Sequence, residues 1–192
     1  MNYVQVSLID MINIYGEEFC KNFLQNFSSI KNKDVQNYLR EQSIDFAKQN
    51  VSVTFIVLDL MRTGKDMLVG YFTLTNKSVL VNKVSGAMKK RIKKFATKSD
   101  GANGYQIPMP LIAQLGKNSS VEDNNLAGGD LLKMALEKVS SAQRIIGGKT
   151  TYIECESEPK LFNFYSENNF IKFGEIDSAS RNTKLVQMLL YM

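Results

Sequence analysis

Leu161-Phe162-Asn163-Phe164-Tyr165-Ser166-Glu167-Asn168-Asn169-Phe170 is the stretch whose reading decides the fold. Its apolar residues fall at helical spacing, and Pro159 just upstream suits the first turn of a helix. Asn168-Asn169 reads as a turn, because Asn accepts the left-handed conformation more readily than other non-glycine residues. The spacing therefore predicts a helix from about Pro159 to Asn168, then a strand at Phe170–Phe173. Immediately before it, Thr150-Thr151-Tyr152-Ile153-Glu154-Cys155 reads as an apolar strand. Before that, Leu131, Leu132, Ala135, Leu136 and Val139 form a helical stripe running towards Ile145 and Ile146. The turn Ala127-Gly128-Gly129-Asp130 opens this helix and Gly147-Gly148 ends it. Further upstream, Ile107-Pro108-Met109-Pro110 leads into Leu111–Gly116, a central strand by its apolar run. Lys184–Met192 closes the sheet as the last strand.

The first half of the chain has its own pattern. Residues 1–30 are expected to be a helical extension, with a second helix starting near Gly16. Asp34 to Lys48 reads as an amphipathic helix with Asp34 as N-cap and Asn50 as its left-handed stop. Val51–Leu58 and Met67–Leu74 read as an antiparallel hairpin joined through Arg62–Asp66. Asn76–Gly104 reads as a long excursion ending in Ser99-Asp100-Gly101-Ala102-Asn103-Gly104. No linker divides the chain, so residues 1–192 are expected to form a single domain, 1–30 the extension and 31–192 the core.

Composition excludes whole mechanisms. The chain has 192 residues and no histidine. Ser-His-Asp and Cys-His chemistry is therefore absent, and two cysteines alone complete no zinc site. Any general base must be a carboxylate, a lysine, a tyrosine or water. Cys20 and Cys155 read as reduced core residues, and neither is placed as a nucleophile by anything in the pattern. No apolar run approaches the roughly 18 residues that span a bilayer, and no signal-peptide pattern opens the chain. A cytoplasmic location without membrane association is the expectation. The net charge of +5 resides in one segment, Lys89, Lys90, Arg91, Lys93, Lys94 and Lys98, without which the chain would be slightly acidic. Such a run either is a solvated surface or steers an anionic partner such as RNA.

The order strand, glycine turn, helix, strand, Phe-Tyr helix resembles the GNAT superfamily of acetyl-CoA-dependent N-acetyltransferases. The resemblance covers about residues 35–192. Asp34-Val35-x-x-Tyr38-Leu39, a strand with Thr54, Val69-Gly70-Tyr71-Phe72-Thr73-Leu74 and a basic excursion ending in Pro108-x-Pro110 resemble its toxin-related branch, some members of which acetylate aminoacyl-tRNA. The fold class this implies is α/β (α+β). A mixed, mostly antiparallel sheet with one splayed strand pair is flanked by helices, here with the N-terminal extension added.

The resemblance also assigns residues. Tyr165 takes the place of the tyrosine beside the thioester and would act as general acid, and Asn169 replaces the final glycine of that segment. Leu115, Gly116 and Lys117 would pair with pantetheine. Asn124, Asn125, Leu126, Ala127, Gly128, Gly129 and Asp130 would hold the pyrophosphate of acetyl-CoA, with Gly128 matching the last family glycine and Asn124 and Leu126 standing at the earlier ones. Asn163 would lie near the cofactor. The residue-level readings stand beside these: Gly128-Gly129 as a plain turn, Gly116 as a strand end, the Phe-Tyr helix as core packing.

For the base, Glu154 and Glu156 share one side of their strand with Tyr152 by the period-two rule. Either would relay the amine proton through water. The expected activity is direct acetyl transfer from CoA to an amine of aminoacyl-tRNA, a peptide or protein, or a small molecule. The alternative is a non-catalytic RNA- or protein-binding module on the same fold. The expected partners are the amine acceptor, RNA through Lys89–Lys98, an antitoxin-like protein and a second copy of the chain.

Overall fold

Backbone hydrogen bonding arranges this sequence as eight strands and seven α-helices among the described residues, which in this computed structural model are 3–82, 84–98, 104–178 and 184–192. The expected loop residues Ser99, Asp100, Gly101, Ala102 and Asn103 fall outside the described residues. The chain divides into two compact units, Met1–Thr75 with Ile112–Lys138, and Asn76–Leu111 with Val139–Met192.

The first unit opens with a strand, not a helix. Tyr3-Val4-Gln5-Val6-Ser7 is β1 (Tyr3–Ser7), paired antiparallel with β2 (Val53–Asp59) in the register Val4↔Leu58 and Val6↔Ile56. The alternation Val4, Val6 is strand-like, but it runs directly into a helical apolar stripe, which hides it. Helices α1 (Leu8–Tyr15) and α2 (Glu17–Leu24) follow, separated at Gly16 with φ +85°. Leu8, Met11, Cys20, Leu24 and Phe27 turn into one core with Tyr38, Leu39, Ile56, Leu68 and Tyr71. Each such aliphatic or aromatic side chain contributes about 1.5–3 kcal/mol by leaving water.

The helix expected over 34–48 is interrupted. It consists of α3 (Lys33–Asn37), a π-turn over Tyr38–Gln42, and α4 (Ser43–Lys48). Its N-cap is Asn32, whose Oδ1 accepts from the amides of Asp34 at 3.0 Å and Val35 at 3.4 Å, so Asp34 sits inside the first turn. The carbonyl of Val35, which a regular α-helix would give to Leu39, also accepts the Tyr71 hydroxyl at 2.5 Å. Asn50 ends the segment at φ 54°. The hairpin is present, β2 pairing with β3 (Leu68–Val81), which is longer than its apolar run.

In the second unit β3 continues through Asn76–Val81, because Val79 and Val81 alternate inward with Ser78 and Leu80 outward. The supposed excursion thus holds the end of this strand, then α5 (Gly86–Ile92), capped by Ser85 Oγ accepting from Met88 N at 3.2 Å, and the two-residue β4 (Thr97–Lys98). Strand β5 (Tyr105–Lys117) begins before both prolines. Pro108 and Pro110 are two apart, so their missing N–H groups fall on one side of the strand, while Ile107, Met109 and Leu111 face the core. Helix α6 (Gly128–Ile146), β6 (Thr150–Glu156), α7 (Pro159–Glu167), β7 (Ile171–Asp177) and β8 (Lys184–Tyr191) complete the chain. Strands β3 and β5 and helix α6 begin in one unit and end in the other.

Strand order is β1-β2-β3-β5 in the first unit and β3-β5-β6-β8-β7 in the second. The sheet is mixed: β5 and β6 are parallel, with Leu111 opposite Tyr152, whereas β6–β8 and β7–β8 are antiparallel.

Candidate functional site

In the first unit the segment between β5 and α6 is built around a side chain that sequence reading missed. Asn118 is fully buried. Its Oδ1 accepts from Ser28 N at 2.9 Å and Ser120 N at 3.0 Å, and its Nδ2 donates to Leu68 O at 2.7 Å and Asn26 O at 3.1 Å. Asn124 repeats the device: Nδ2 donates to Val69 O at 2.8 Å and Asn118 O at 2.9 Å, and Oδ1 accepts from Leu126 N at 3.1 Å. Arg62 closes the loop from outside, donating to the carbonyls of Glu122 at 3.0 Å and Asp123 at 2.7 Å, with Asp59 at 3.4 Å from its Nε. The only forewarning of Asn118 in the sequence is its place at the start of a polar turn after a strand.

Asn124 and Leu126, which stand where the resemblance expects glycines, both turn their side chains into the protein. Leu126 is fully buried, and its Cδ2 lies 2.7 Å from where a Cβ on Gly70 would stand. Asn125, Ala127, Gly128, Gly129 and Asp130 are exposed. The first helical bond of α6 runs from Leu131 N to Ala127 O at 3.1 Å, so the amides of Gly128, Gly129 and Asp130 have no partner within the helix. Beyond the chain next to it, no atom lies within 4 Å of a Cβ added to Gly129. Gly116 is different. Its Cβ position is filled by Val35 Cγ1 at 2.6 Å, Tyr71 Cε1 at 2.8 Å and Phe27 Cζ at 2.9 Å, so glycine there is a packing requirement. Leu115 is half-buried and Lys117 exposed.

In the second unit Tyr165 is the one buried residue of α7. Its ring packs edge-on against Phe164 at 5.0 Å and Phe170 at 5.6 Å, and Asn169, at φ 65°, returns the chain so that Phe170 N donates to Tyr165 O at 3.0 Å. The ring is thus core, yet its hydroxyl forms no hydrogen bond among the described residues. Among them, Gln5 Oε1 is the one sealed side-chain polar atom without a partner, and Tyr165 as a whole is 8% exposed. Burial first, and Cys155 second, push its phenol well above the usual tyrosine range. Burial likewise pushes the Cys155 thiol up to about 11, which leaves it protonated and a poor nucleophile at neutral pH. Asn163 is exposed on α7.

The two carboxylates named as bases lie elsewhere. Residues 154 and 155 alternate across β6, so Glu154 and Glu156 occupy the face opposite the one Cys155 shares with Tyr165. Glu154 Oε1 accepts from Lys77 Nζ at 3.1 Å, Tyr152 Oη at 3.4 Å and Gln187 Nε2 at 3.5 Å. Glu156 is half-buried at the strand end. Beside the Glu154 cluster, a cleft of about 370 Å³ is lined by Lys77 to Leu80, Asn82, Phe173 to Ile176 and Gln187.

The basic run lies mostly on α5. Met88 and Ile92 anchor the helix inward, leaving Lys89, Lys90, Arg91, Lys93 and Lys94 exposed, with Arg91 stacked 5.4 Å from the Tyr191 ring centroid. Among the described residues no three His, Cys, Asp or Glu side chains converge as metal ligands, and no helix is long and apolar enough to cross a membrane.

No protein-family model and no curated protein matches the chain. Solved structures do. AtaT complexed with acetyl-methionyl-tRNAfMet superposes with a TM-score of 0.67 at 19% identity, over 96% of this chain and 94% of that one. A tyrosine-to-phenylalanine variant of KacT gives 0.67 at 16% identity over 97% and 94%. AtaTR bound with acetyl-CoA gives 0.61 at 17% identity over 96% and 92%. The chain therefore has the GNAT fold of these toxins.

Proposed function

We propose that the chain is an acetyl-CoA-dependent N-acetyltransferase that transfers acetyl directly to an amine. The observation that carries this reading is the Tyr165 hydroxyl: held protonated in a hydrocarbon setting, it has no partner among the described residues, though the side chain is buried. A purely structural buried tyrosine would satisfy its hydroxyl within the protein. The shared fold with AtaT, solved with acetyl-CoA and with an acetylated aminoacyl-tRNA, supports it.

The residues present fit acetyl-CoA. Orphan amides at the start of α6, backed by the helix dipole, suit a pyrophosphate. Asn124 and Arg62 fix the backbone leading to them, doing with side chains what glycines do by conformation. Asn125 and Ala127 to Asp130 would hold the phosphates, and Leu115, Gly116 and Lys117 would offer backbone groups to pantetheine. Asn163 would flank the cofactor. When bound, acetyl-CoA supplies an acetyl group activated by a thiolate leaving group. Tyr165 Oη would serve as the general acid for the thiolate leaving group and would regain its proton through water from the amine. Cys155, locked as a thiol, offers no covalent route.

The basic run adds an RNA partner to this reading, since the exposed Lys89, Lys90 and Arg91 of α5 and the exposed Lys93 and Lys94 just after it have no acid between them in the sequence. An antitoxin-like protein belongs to the same reading, by analogy with AtaT bound to the antitoxin AtaR. One observation favours a second reading, a module without chemistry: side chains replace the glycines at Asn124 and Leu126. Calorimetry with acetyl-CoA separates the two. Saturable binding with a stoichiometry near one supports the enzyme, and no heat at millimolar acetyl-CoA favours the module.

A further inference from the structure

Strand β3 runs on past the end of its partner. Its register with β2 stops at Val53↔Leu74, where Thr75 Oγ1 donates to Val51 O at 2.8 Å, yet the strand continues to Val81. Its other edge is held by β5, and Gln106 Nε2 donates to Ser78 Oγ at 2.9 Å along that side. Among the described residues, the stretch from Asn76 to Val81 therefore has a neighbouring strand on one side only. Such an edge offers a row of main-chain donors and acceptors to any extended chain that reaches it.

The cleft of about 370 Å³ lies on this open side. Lys77, Ser78, Val79 and Leu80 line it in succession. Successive side chains of a strand point to opposite faces, so four in a row line one cavity only along the strand's edge. That edge is the open one, since β5 holds the other. The facing wall is Phe173 to Ile176 of β7, with Gln187 of β8 beside it. At Gly174 a Cβ would stand 2.8 Å from Gln187 Oε1, so this part of the wall is main chain and a side-chain amide. The charges around the cleft are neutralised in place: Lys77 Nζ lies 3.1 Å from Glu154, and Glu175 lies 2.6 Å from Lys172. A strand residue fills roughly 160 Å³ of a sheet, from a rise near 3.3 Å, a strand spacing near 4.8 Å and a thickness near 10 Å, so the cleft takes about two to three residues.

We propose that the cleft is a docking site for an extended, uncharged segment of a second protein, which pairs as a strand with the Asn76–Val81 edge of β3 and lies against β7. The proposal goes beyond the acetyltransferase reading and does not depend on it. Main-chain pairing supplies the affinity, and the walls supply the selectivity. Ser78, Asn82 and Gln187 suit small polar side chains, and Leu80 and Ile176 suit apolar ones. A charged residue at the centre of the segment would meet cations and carboxylates that already hold one another. Lys172 and Asp177, with the bulge of β7 between Lys172 and Gly174, stand near the facing wall and limit pairing to a short segment.

The test uses the full chain without acetyl-CoA. The probe is the blocked pentapeptide acetyl-Ser-Val-Ser-Val-Ser-amide, and the control is the same peptide N-methylated at every residue, which keeps the side chains and removes the donors. In ¹H–¹⁵N spectra the probe should shift the backbone amides of residues 77–81 saturably in the millimolar range and slow hydrogen exchange at alternate ones. The amides of β1, the outermost strand of the first unit, serve as internal comparison and should not move. Losing two or more main-chain hydrogen bonds should weaken the N-methylated peptide by about tenfold or more. Ser78→Tyr, which fills the cleft, should weaken the probe to a similar degree. If that variant loses its spectral dispersion, the two peptides on the wild-type chain decide alone. No response to the probe, equal shifts along β1, equal binding of the N-methylated peptide, or a folded Ser78→Tyr that binds as the wild type does would each overturn the proposal. Acetyl-CoA calorimetry on the same samples keeps the two readings apart. A peptide response without acetyl-CoA binding removes the enzyme and leaves the docking site, and acetyl-CoA binding with a silent cleft does the reverse.

Discussion

The loop before α6 and the tip of α7 solve opposite problems. In the loop, Asn118, Asn124 and Arg62 together engage nine backbone groups, and what remains outward at the start of α6 is the backbone of Gly128 and Gly129 beside the exposed Asn125, Ala127 and Asp130. At Tyr165 the backbone is employed in the helix and its return, the ring is packed among aromatics, and what remains outward is one hydroxyl. Glycine backbone at a helix start suits an anion that needs several N–H donors. A single free hydroxyl suits one proton at one atom. The difference teaches that unused hydrogen-bonding capacity, more than residue type, marks where a ligand belongs.

The sharpest way to break the loop half of this contrast is Asn118→Ala. It orphans buried donors and acceptors on three separate segments, each costing about 1–3 kcal/mol, so a loss of roughly 3 kcal/mol or more is expected in urea denaturation. A loss under about 1 kcal/mol would mean that the loop does not depend on this hub. Gly116→Ala comes next. Three approaches below 3.0 Å would force Val35, Tyr71 and Phe27 to shift, with an expected cost of about 1–3 kcal/mol read from the same curves. Unchanged stability would free Gly116 for a ligand role alone.

The α7 half is sharpened by pH. Cys155 and Tyr165 have folded values raised above their unfolded ones, so their contribution to stability is complete below about pH 9 and is lost as pH climbs through the folded values. Thermal unfolding should therefore occur at progressively lower temperature from pH 9 towards 11, and iodoacetamide should leave Cys155 unlabelled at pH 8. Rapid labelling of the folded protein would contradict its burial. The smallest structural effect belongs to α5. Changing Lys89, Lys90, Lys93 and Lys94 to Gln should alter stability by about 0.5 kcal/mol or less each, while reducing the salt slope of RNA binding by about 0.7–0.9 for each phosphate no longer neutralised. An unaltered slope would return the run to a solvated surface.

Local chemistry was legible in the sequence and tertiary chemistry was not. The helix of Tyr165 and its Asn169 stop could be read because period and turn residue lie within ten positions. So could Gly16, Asn50 and Gly147-Gly148. Strand β1 was hidden because five alternating residues run straight into a helical stripe. The π-turn could not be seen, since the Tyr71 hydroxyl that meets it comes from 36 residues away. Asn118 gathers partners 50 to 92 residues distant, a feature no window can contain. Glu154 was placed on the correct face with Tyr152, but that face is the one opposite Cys155 and Tyr165.

The most direct measurement compares the wild-type chain with Tyr165→Phe, following acetyl-CoA affinity by calorimetry and CoA release in the presence of amine. The account requires affinity unchanged within about twofold and turnover reduced roughly 10²–10⁴-fold, the range of a missing general acid. Turnover that survives the substitution, or affinity that falls with it, would contradict the assignment of a proton to that hydroxyl.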